Sequence, residues 1–160
     1  MNRISTVLRR AWRPLPLLLA VAGAQATSLR LEPADSAATV GDNVALALWM
    51  DFSDDPTLGG GVDLAFDATR LMATGFSFDA ALADDPALRR LPDMGAGLLS
   101  GLAFGHFNGL AGPARVGSYS FTVLAAGPAA LSLAPNADPV GSFYSAVSFS
   151  PQAPQFNGAM

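Results

Sequence analysis

Apolar and polar residues alternate along most of the chain beyond residue 27, in short runs that end at glycine, proline, asparagine or aspartate. In "NVALALWMD", Val44, Leu46, Leu48 and Met50 fall on one side and Trp49 on the other. Alternation with a period of two predicts β-strands, and the residues between the runs predict turns. Strands are expected within 28–33, 39–52, 62–67, 71–79, 98–110, 114–135 (two strands around "AAGP"), 141–151 and "QFNGAM".

Two segments interrupt this alternation. Residues 53–61, "SDDPTLGGG", are predicted to form a loop because of their Asp-Pro pair and their glycines. Asp84, Asp85 and Pro86 precede "ALRRL", and acidic residues followed by proline are typical of a helix start, so we expect one or two helical turns within 80–93. Seven to nine short strands with turn signals predict an antiparallel β-sandwich, with a mixed fold as the alternative because alanine is abundant.

The first 26 residues have the form of a secretory signal peptide. Four arginines and no acid precede the apolar run "LPLLLAVAGA", and "AQA" ends at Ala26. Cleavage after Ala26 would leave residues 27–160 as a single domain that is secreted, periplasmic or on the cell surface. The apolar run is shorter than the about 20 residues of a membrane span. An N-terminal anchor stays an alternative, and the Arg9-Arg10 pair leaves Sec and twin-arginine export both open.

Charge and cysteine content narrow the class of partner. Beyond residue 26 the chain has five arginines, no lysine and thirteen acids, a net charge of −8. This balance argues against nucleic acid and anionic membranes, which attract basic proteins. No cysteine is present, so neither a disulfide nor a lipid-modified cysteine is expected. No second apolar run of spanning length follows, so no membrane span is expected in residues 27–160.

The sequence offers no convincing active site, and we predict no catalytic residue and no cofactor. His106 is the sole histidine, and a zinc site would lack its usual partners. No G-x-S-x-G motif occurs. A small exported hydrolase that uses His106 and a carboxylate is the remote alternative.

Several aspartates are candidates for chemistry or for turns. Asp51, Asp54 and Asp55 form a weak candidate Ca²⁺ site, because this cation prefers several oxygen ligands, but they lack the spacing of an EF-hand. A solvated turn is the favoured interpretation. Asp67 ends an apolar strand, where an aspartate readily accepts bonds from backbone N–H groups two residues on. Asp63, on the polar side of the same strand, is a candidate ligand-binding residue.

Aromatic residues are the candidates for stacking on sugar rings. Residues 27–160 contain one tryptophan, Trp49, and two tyrosines, Tyr119 and Tyr144. The alternation places Trp49 opposite the Leu46 and Leu48 side, and we favour a placement on the core side of the sandwich, with an exposed ring as the alternative. With Asp63, Trp49 and Tyr119 complete our set of ligand-binding candidates.

Three blocks of the chain, in order, resemble the bacterial cohesin-like fold. They are "VGDNVALALWMDF", "GGGVDLAFDATRL" and "GSYSFTVLAAGPAALSLAP", which span roughly residues 39–133. They are similar to the family's V-G-D strand start, its apolar strand ending in aromatic-Asp-Pro/Ala-x-x-Leu, and its later strand pair. Similar domains occur in exported bacterial proteins with a PEP-CTERM sorting tail. The fold, shared with some cellulose-binding modules, implies a jelly-roll β-sandwich of about eight or nine strands with one short helix.

The resemblance implies a non-enzymatic binding module. It would serve protein–protein interaction or scaffolding at the cell surface or in extracellular material, with polysaccharide binding as the alternative. In dockerin-binding cohesins, polar side chains near the start of the second block help to contact the dockerin. Gly59, Gly60 and Gly61 occupy those positions here, so the expected partner is an extracellular protein or polysaccharide and a dockerin is doubtful. No sorting tail follows "FNGAM", so we expect a short last strand or a chain that continues beyond Met160.

Overall fold

A computed structural model of the chain describes residues 27–33, 38–82, 88–136 and 141–159. The predicted signal peptide lies outside these residues. The described part is almost entirely strand, as the alternation predicts, with one short 3-10 turn at Ala80–Leu82. The strands are β1 Ser28–Pro33, β2 Asn43–Asp51, β3 Thr57–Phe66, β4 Leu71–Phe78, β5 Arg89–Arg90, β6 Asp93–Gly95, β7 Leu98–Leu110, β8 Ala114–Val123, β9 Leu131–Pro135, β10 Phe143–Tyr144, β11 Pro151–Gln152 and β12 Gln155–Asn157.

The strands form two main sheets and a small hairpin. Sheet I has the order β12-β1-β2-β8-β4. Sheet II has the order β5-β7-β3-β9, with β6 also paired to β7. The hairpin of β10 and β11 is hydrogen-bonded as a separate pair and packs against β3, with Phe143 in the core. All pairings are antiparallel except that of β1 with β12, which is parallel. The all-β jelly-roll sandwich is confirmed, with this one parallel pair as an addition to it.

Apolar residues from both sheets form one core. On sheet I, the inward residues of β2 are Leu46, Leu48 and Met50, all at most 5% exposed. On sheet II, Val62 and Leu64 are fully buried. Phe66 and Phe121 meet across the sandwich with ring centroids 5.2 Å apart. Burial of this kind, worth about 1.5–3 kcal/mol for each large apolar side chain, holds the sheets together in the absence of disulfides.

The sequence-based expectations differ from the structure in three places. Residues 57–61 are the start of β3, where we expected a loop. The short helix expected within 80–93 is present as the 3-10 turn at Ala80–Leu82, and Asp84, Asp85 and Pro86 lie outside the described residues. Later in the same range, Arg89–Arg90 is a strand paired with β7 and not helix. In 141–151 only Phe143–Tyr144 and the first residue of β11 are strand.

Candidate binding surfaces

The outer face of sheet I carries Trp49 at its centre. The ring is half-buried and faces away from the core, so the favoured core-side placement of Trp49 is wrong. Across the sheet, Trp49 pairs with Arg30 of β1 on one side and with Arg115 of β8 on the other. The guanidinium carbon of Arg30 lies 5.7 Å from the Trp49 ring centroid, a cation–π contact worth about 0.5–1 kcal/mol at an exposed site. We call these three residues the Trp49 row.

A β-bulge places Arg115 in this row. From Asn43 to Leu48 the register of β2 against β8 is regular, and it then shifts between Leu48 and Trp49. Val116 is the extra residue, and its side chain is fully buried. Without the shift, Arg115 would face Met50 and point toward the core. Bulges often redirect a side chain in this way, and here the result is a cation beside the exposed tryptophan.

The rest of this face is flat and polar. Arg30 pairs with Glu32 at 2.8 Å, and Arg115 donates to Ser118 and lies 3.9 Å from Asp79. Exposed ion pairs contribute little to stability, about 0–1 kcal/mol. Both guanidinium groups keep substantial exposure, with side chains 38% and 45% accessible. The surface beside the Trp49 row is formed by Ala45, Ala47, Ser77 and Ser120.

Asp63, a predicted ligand-binding residue, is occupied by contacts within sheet II. Its Oδ1 accepts the Gly101 N–H at 2.8 Å and the Asn136 side-chain amide at 2.6 Å. The register of β3 against β7 shifts at this point, and Asp63 binds the residue that the bulge leaves unpaired. The geometry gives Asp63 a structural role, and its role in ligand binding stays a prediction.

The three glycines at the start of β3 are buried and permit close packing. A Cβ on Gly59, whose φ is +119°, would lie 2.1 Å from the Phe104 carbonyl oxygen. A Cβ on Gly60 would lie 2.6 Å from the Phe143 ring. Real side chains cannot adopt such contacts. The glycines therefore occupy positions where larger residues would separate β3 from its neighbours, and they offer no side chain to a partner.

Tyr119 lies in the core and gives no surface to a ligand. Its side chain is fully buried, and its ring meets Phe76 edge-on with centroids 4.7 Å apart. Burial, and to a lesser extent the charge of Asp63, raise the pKa of Tyr119 above the usual range of a phenol. Its hydroxyl has no hydrogen-bond partner in the part of the chain that the structure describes. The inward phase of β8 buries the ring, and a role of Tyr119 in ligand binding stays a prediction.

The three aspartates of the candidate Ca²⁺ site use their carboxylates separately. Asp51 accepts from the Ser53 hydroxyl at 2.6 Å and its N–H at 3.1 Å, and these bonds lower the pKa of Asp51. Asp55 accepts from Ser145 and, at its other oxygen, from Gln152, and both bonds lower its pKa. Asp54 is exposed. Within the described ranges, no three potential metal ligands cluster.

Asp67 and His106 make local contacts. The Asp67 carboxylate accepts the Thr69 hydroxyl at 2.6 Å and its N–H at 2.9 Å, and the two bonds lower the pKa of Asp67. The prediction that Asp67 forms the turn after its strand is confirmed. His106 accepts the Asn108 N–H at Nδ1, 3.1 Å away, within β7. No hydrogen bond between described residues joins His106 to a serine hydroxyl or a carboxylate.

Arg30 and Arg115 are the surface residues that the sequence-based reasoning missed. Arg30 could have been found, because it alternates with the apolar Leu29 and Leu31. Arg115 could not, because the alternation of β8 assigns it to the core side and only the bulge reverses it. Among the described helical residues, none forms a segment long and apolar enough to span a membrane.

Solved structures of cohesin modules have the same fold as this chain. The sixth cohesin of scaffoldin B from Acetivibrio cellulolyticus, solved with a dockerin, aligns with a TM-score of 0.65 at 12% identity, over 83% of this chain and 96% of its own. A type II cohesin from the cellulosome of that organism aligns with a TM-score of 0.59 at 14% identity, over 82% and 91%. The type I cohesin of a Clostridium thermocellum cohesin–dockerin complex aligns with a TM-score of 0.60 at 7% identity, over 83% of this chain and 99% of its own.

Comparisons of sequence alone give no match. No known family model matches the chain, and no curated protein does. The structural similarity covers 82–83% of this chain in these three alignments and includes both type I and type II modules. The fold of this chain is that of the cohesin modules.

Proposed function

We propose that this protein is an exported, non-enzymatic module that binds a protein partner through the outer face of sheet I, centred on the Trp49 row. The observation that carries the proposal is the row itself: a half-exposed tryptophan between two arginines on a flat sheet. Tryptophan and arginine are the residue types most enriched among those that dominate protein–protein binding energy. The cohesin fold supports a binding role, since the solved relatives include complexes with dockerins.

The proposed partner is an extracellular protein with acidic groups opposite the arginines. The two guanidinium groups lie on an otherwise acidic domain, and each can donate further hydrogen bonds to a carboxylate. A dockerin is not the partner we favour. A side chain at Gly59 or Gly60 would displace a neighbouring strand or ring, so the start of β3 cannot offer the polar contacts described above for dockerin-binding relatives.

Polysaccharide binding is the second candidate, and the outward placement of Trp49 favours it. An indole ring on a flat face can stack on a sugar ring, and the serines and arginines beside it can donate to hydroxyl groups. A single tryptophan supports weak affinity only. We rank this function below protein binding for that reason.

Capture from the host's own secreted fraction tests the proposal. The 160-residue chain is exported, purified and immobilised beside its Trp49→Ala variant and a matched control, Leu98→Ala, whose residue is 44% exposed on sheet II. A captured protein counts only if it is identified, purified and bound again in isolation. We expect Trp49→Ala to weaken that binding at least tenfold and Leu98→Ala to change it less than twofold.

Each outcome bears on the proposal. Equal binding by the Trp49→Ala variant and the unmodified chain would refute the role of the Trp49 row. Retention on an insoluble polysaccharide that depends on Trp49, without a protein partner, would establish the second candidate instead. Circular dichroism of each variant shows whether a loss of binding reflects unfolding.

Export by a signal peptide is part of the same proposal. It rests on the basic start, apolar run and "AQA" of residues 1–26. The mass of the chain recovered outside the cytoplasm should correspond to an N-terminus at Thr27. Recovery of the uncleaved chain in the membrane fraction would support the N-terminal anchor.

A further inference from the structure

The four edges of the two sheets are protected unequally. An unpaired strand edge is a template for pairing with another chain, and proteins usually shorten such edges or place charges or proline on them. Sheet II is bounded on one side by β5, which consists of two arginines, and by β6, which contains Asp93. On the other side β9 ends at Pro135 and is bridged by Ala159. In sheet I, β12 has three residues and follows a proline.

The fourth edge, β4, is long and lacks charge and proline, and a β-bulge is its one protective feature. It has eight residues, "LMATGFSF", with no charge and no proline. Among the described strands it pairs only with β8. Eight residues extend over about 26 Å. The register shift between Ala73 and Gly75 is the one irregularity along it.

An apolar groove adjoins the first half of this edge. Its volume is about 280 Å³, and all its lining residues are apolar. Met72, Met94 and Leu124 project from it, with 50%, 50% and 44% of their surface exposed. Ala68, Gly95 and Ala96 line it with small or absent side chains. Exposed apolar side chains therefore flank the first half of this edge.

Charges flank β4 in a self-complementary order. Arg70 immediately precedes the strand and Asp79 immediately follows it. If two β4 strands pair antiparallel about an axis between Thr74 and Gly75, each Arg70 faces the Asp79 of the other copy. Parallel pairing would place like charges together. Both residues also make contacts within their own chain at partial exposure. Arg70 contacts Asp67 and donates to the Ala126 carbonyl, and Asp79 contacts Arg115 and accepts the Ala81 N–H.

We infer that a second copy of this chain is the occupant of this edge, in a two-fold dimer built by antiparallel pairing of β4 with β4. In this register Met72 of each copy lies opposite Ser77 of the other, and Thr74 lies opposite Gly75. A two-fold interface uses the same patch on both copies, which this strand provides. One strand pair buries much less than the about 800 Å² per partner of standard interfaces, so the dimer is reversible, with a Kd of roughly 10–500 µM.

Sedimentation velocity of the exported chain, from low micromolar to millimolar concentration, tests the dimer. We expect a monomer–dimer equilibrium that Met72→Lys weakens at least tenfold, because lysine protects an edge. The matched control is Val40→Lys, which adds the same charge at a 59% exposed turn residue and should leave the Kd unchanged. A chain that stays monomeric throughout overturns the inference, as does equal weakening by both variants.

Disulfide cross-linking tests the strand orientation, because the chain has no cysteine of its own. A single cysteine from Thr74→Cys lies next to the proposed axis and should oxidise to a covalent dimer at least tenfold faster than Val40→Cys. Equal rates would overturn the antiparallel pairing. If the chain is monomeric but Met72→Lys removes binding of the partner captured through Trp49, the edge belongs to that partner and the dimer is refuted.

Discussion

The outer faces of the two sheets differ in how each uses a β-bulge. In sheet I the bulge at Val116 turns Arg115 outward, beside Trp49, and adds a charged group to the surface. In sheet II the bulge lies opposite Asp63, and the Asp63 carboxylate accepts hydrogen bonds from the Gly101 N–H and the Asn136 amide. The same local irregularity therefore adds an exposed charged side chain to one face and engages a carboxylate in hydrogen bonds on the other. In our proposal the first face binds the partner and the second does not.

Substitution of a glycine in sheet II should have the largest effect on stability among the variants that test this comparison. We expect Gly59→Ala to destabilise the fold by about 3 kcal/mol or more, since the added Cβ meets a carbonyl oxygen and the φ of Gly59 is unfavourable for alanine. Urea unfolding monitored by circular dichroism measures the change. The matched control is Gly75→Ala, where a Cβ meets nothing within 4 Å. A stable Gly59→Ala variant would mean that the glycines are not required for packing.

Removal of the Asp63 carboxylate is the next largest test. Asp63→Ala leaves the Gly101 N–H without its acceptor, so we expect a loss of about 1–3 kcal/mol in the free energy of unfolding. Asp63→Asn keeps one acceptor oxygen, so its free energy of unfolding should fall less than that of Asp63→Ala. Partner binding should persist in both folded variants. If instead Asp63→Ala abolishes binding at unchanged stability, Asp63 is a ligand-binding residue after all.

A smaller effect is expected at Asp55, and it depends on pH. Hydrogen bonds from Ser145 and Gln152 lower the pKa of Asp55 in the folded chain, so its contribution to stability is present above the unfolded-state pKa of about 4. That contribution is lost as the pH falls through the lower folded value. Asp55→Asn should therefore flatten the decline of the urea midpoint below about pH 5. Asp54→Asn, at an exposed neighbour, is the control, and equal flattening by both variants would contradict this role.

The strands and one turn of this fold could be predicted from the sequence because their signals are local. Alternation identified β1, β2, β4 and β7, and the position of Asp67 after an apolar run identified its turn. The start of β3 was missed because glycine signals a loop locally, whereas close contact with β7 requires it here. The site was predicted in part: Trp49 was a candidate, but Arg115 depends on a register shift between two distant strands. No pattern within β8 encodes that shift.

The most direct test of the account is whether a partner contacts Trp49. Trp49 is the only tryptophan in residues 27–160, so the exported chain labelled with 5-fluorotryptophan gives a single ¹⁹F resonance. The unlabelled partner identified by capture is then added until the complex is saturated. We expect the resonance to shift or broaden. In the Arg115→Gln variant, the same change should require a higher partner concentration. An unchanged resonance in a complex that has formed would show that the partner binds elsewhere and would contradict binding through sheet I.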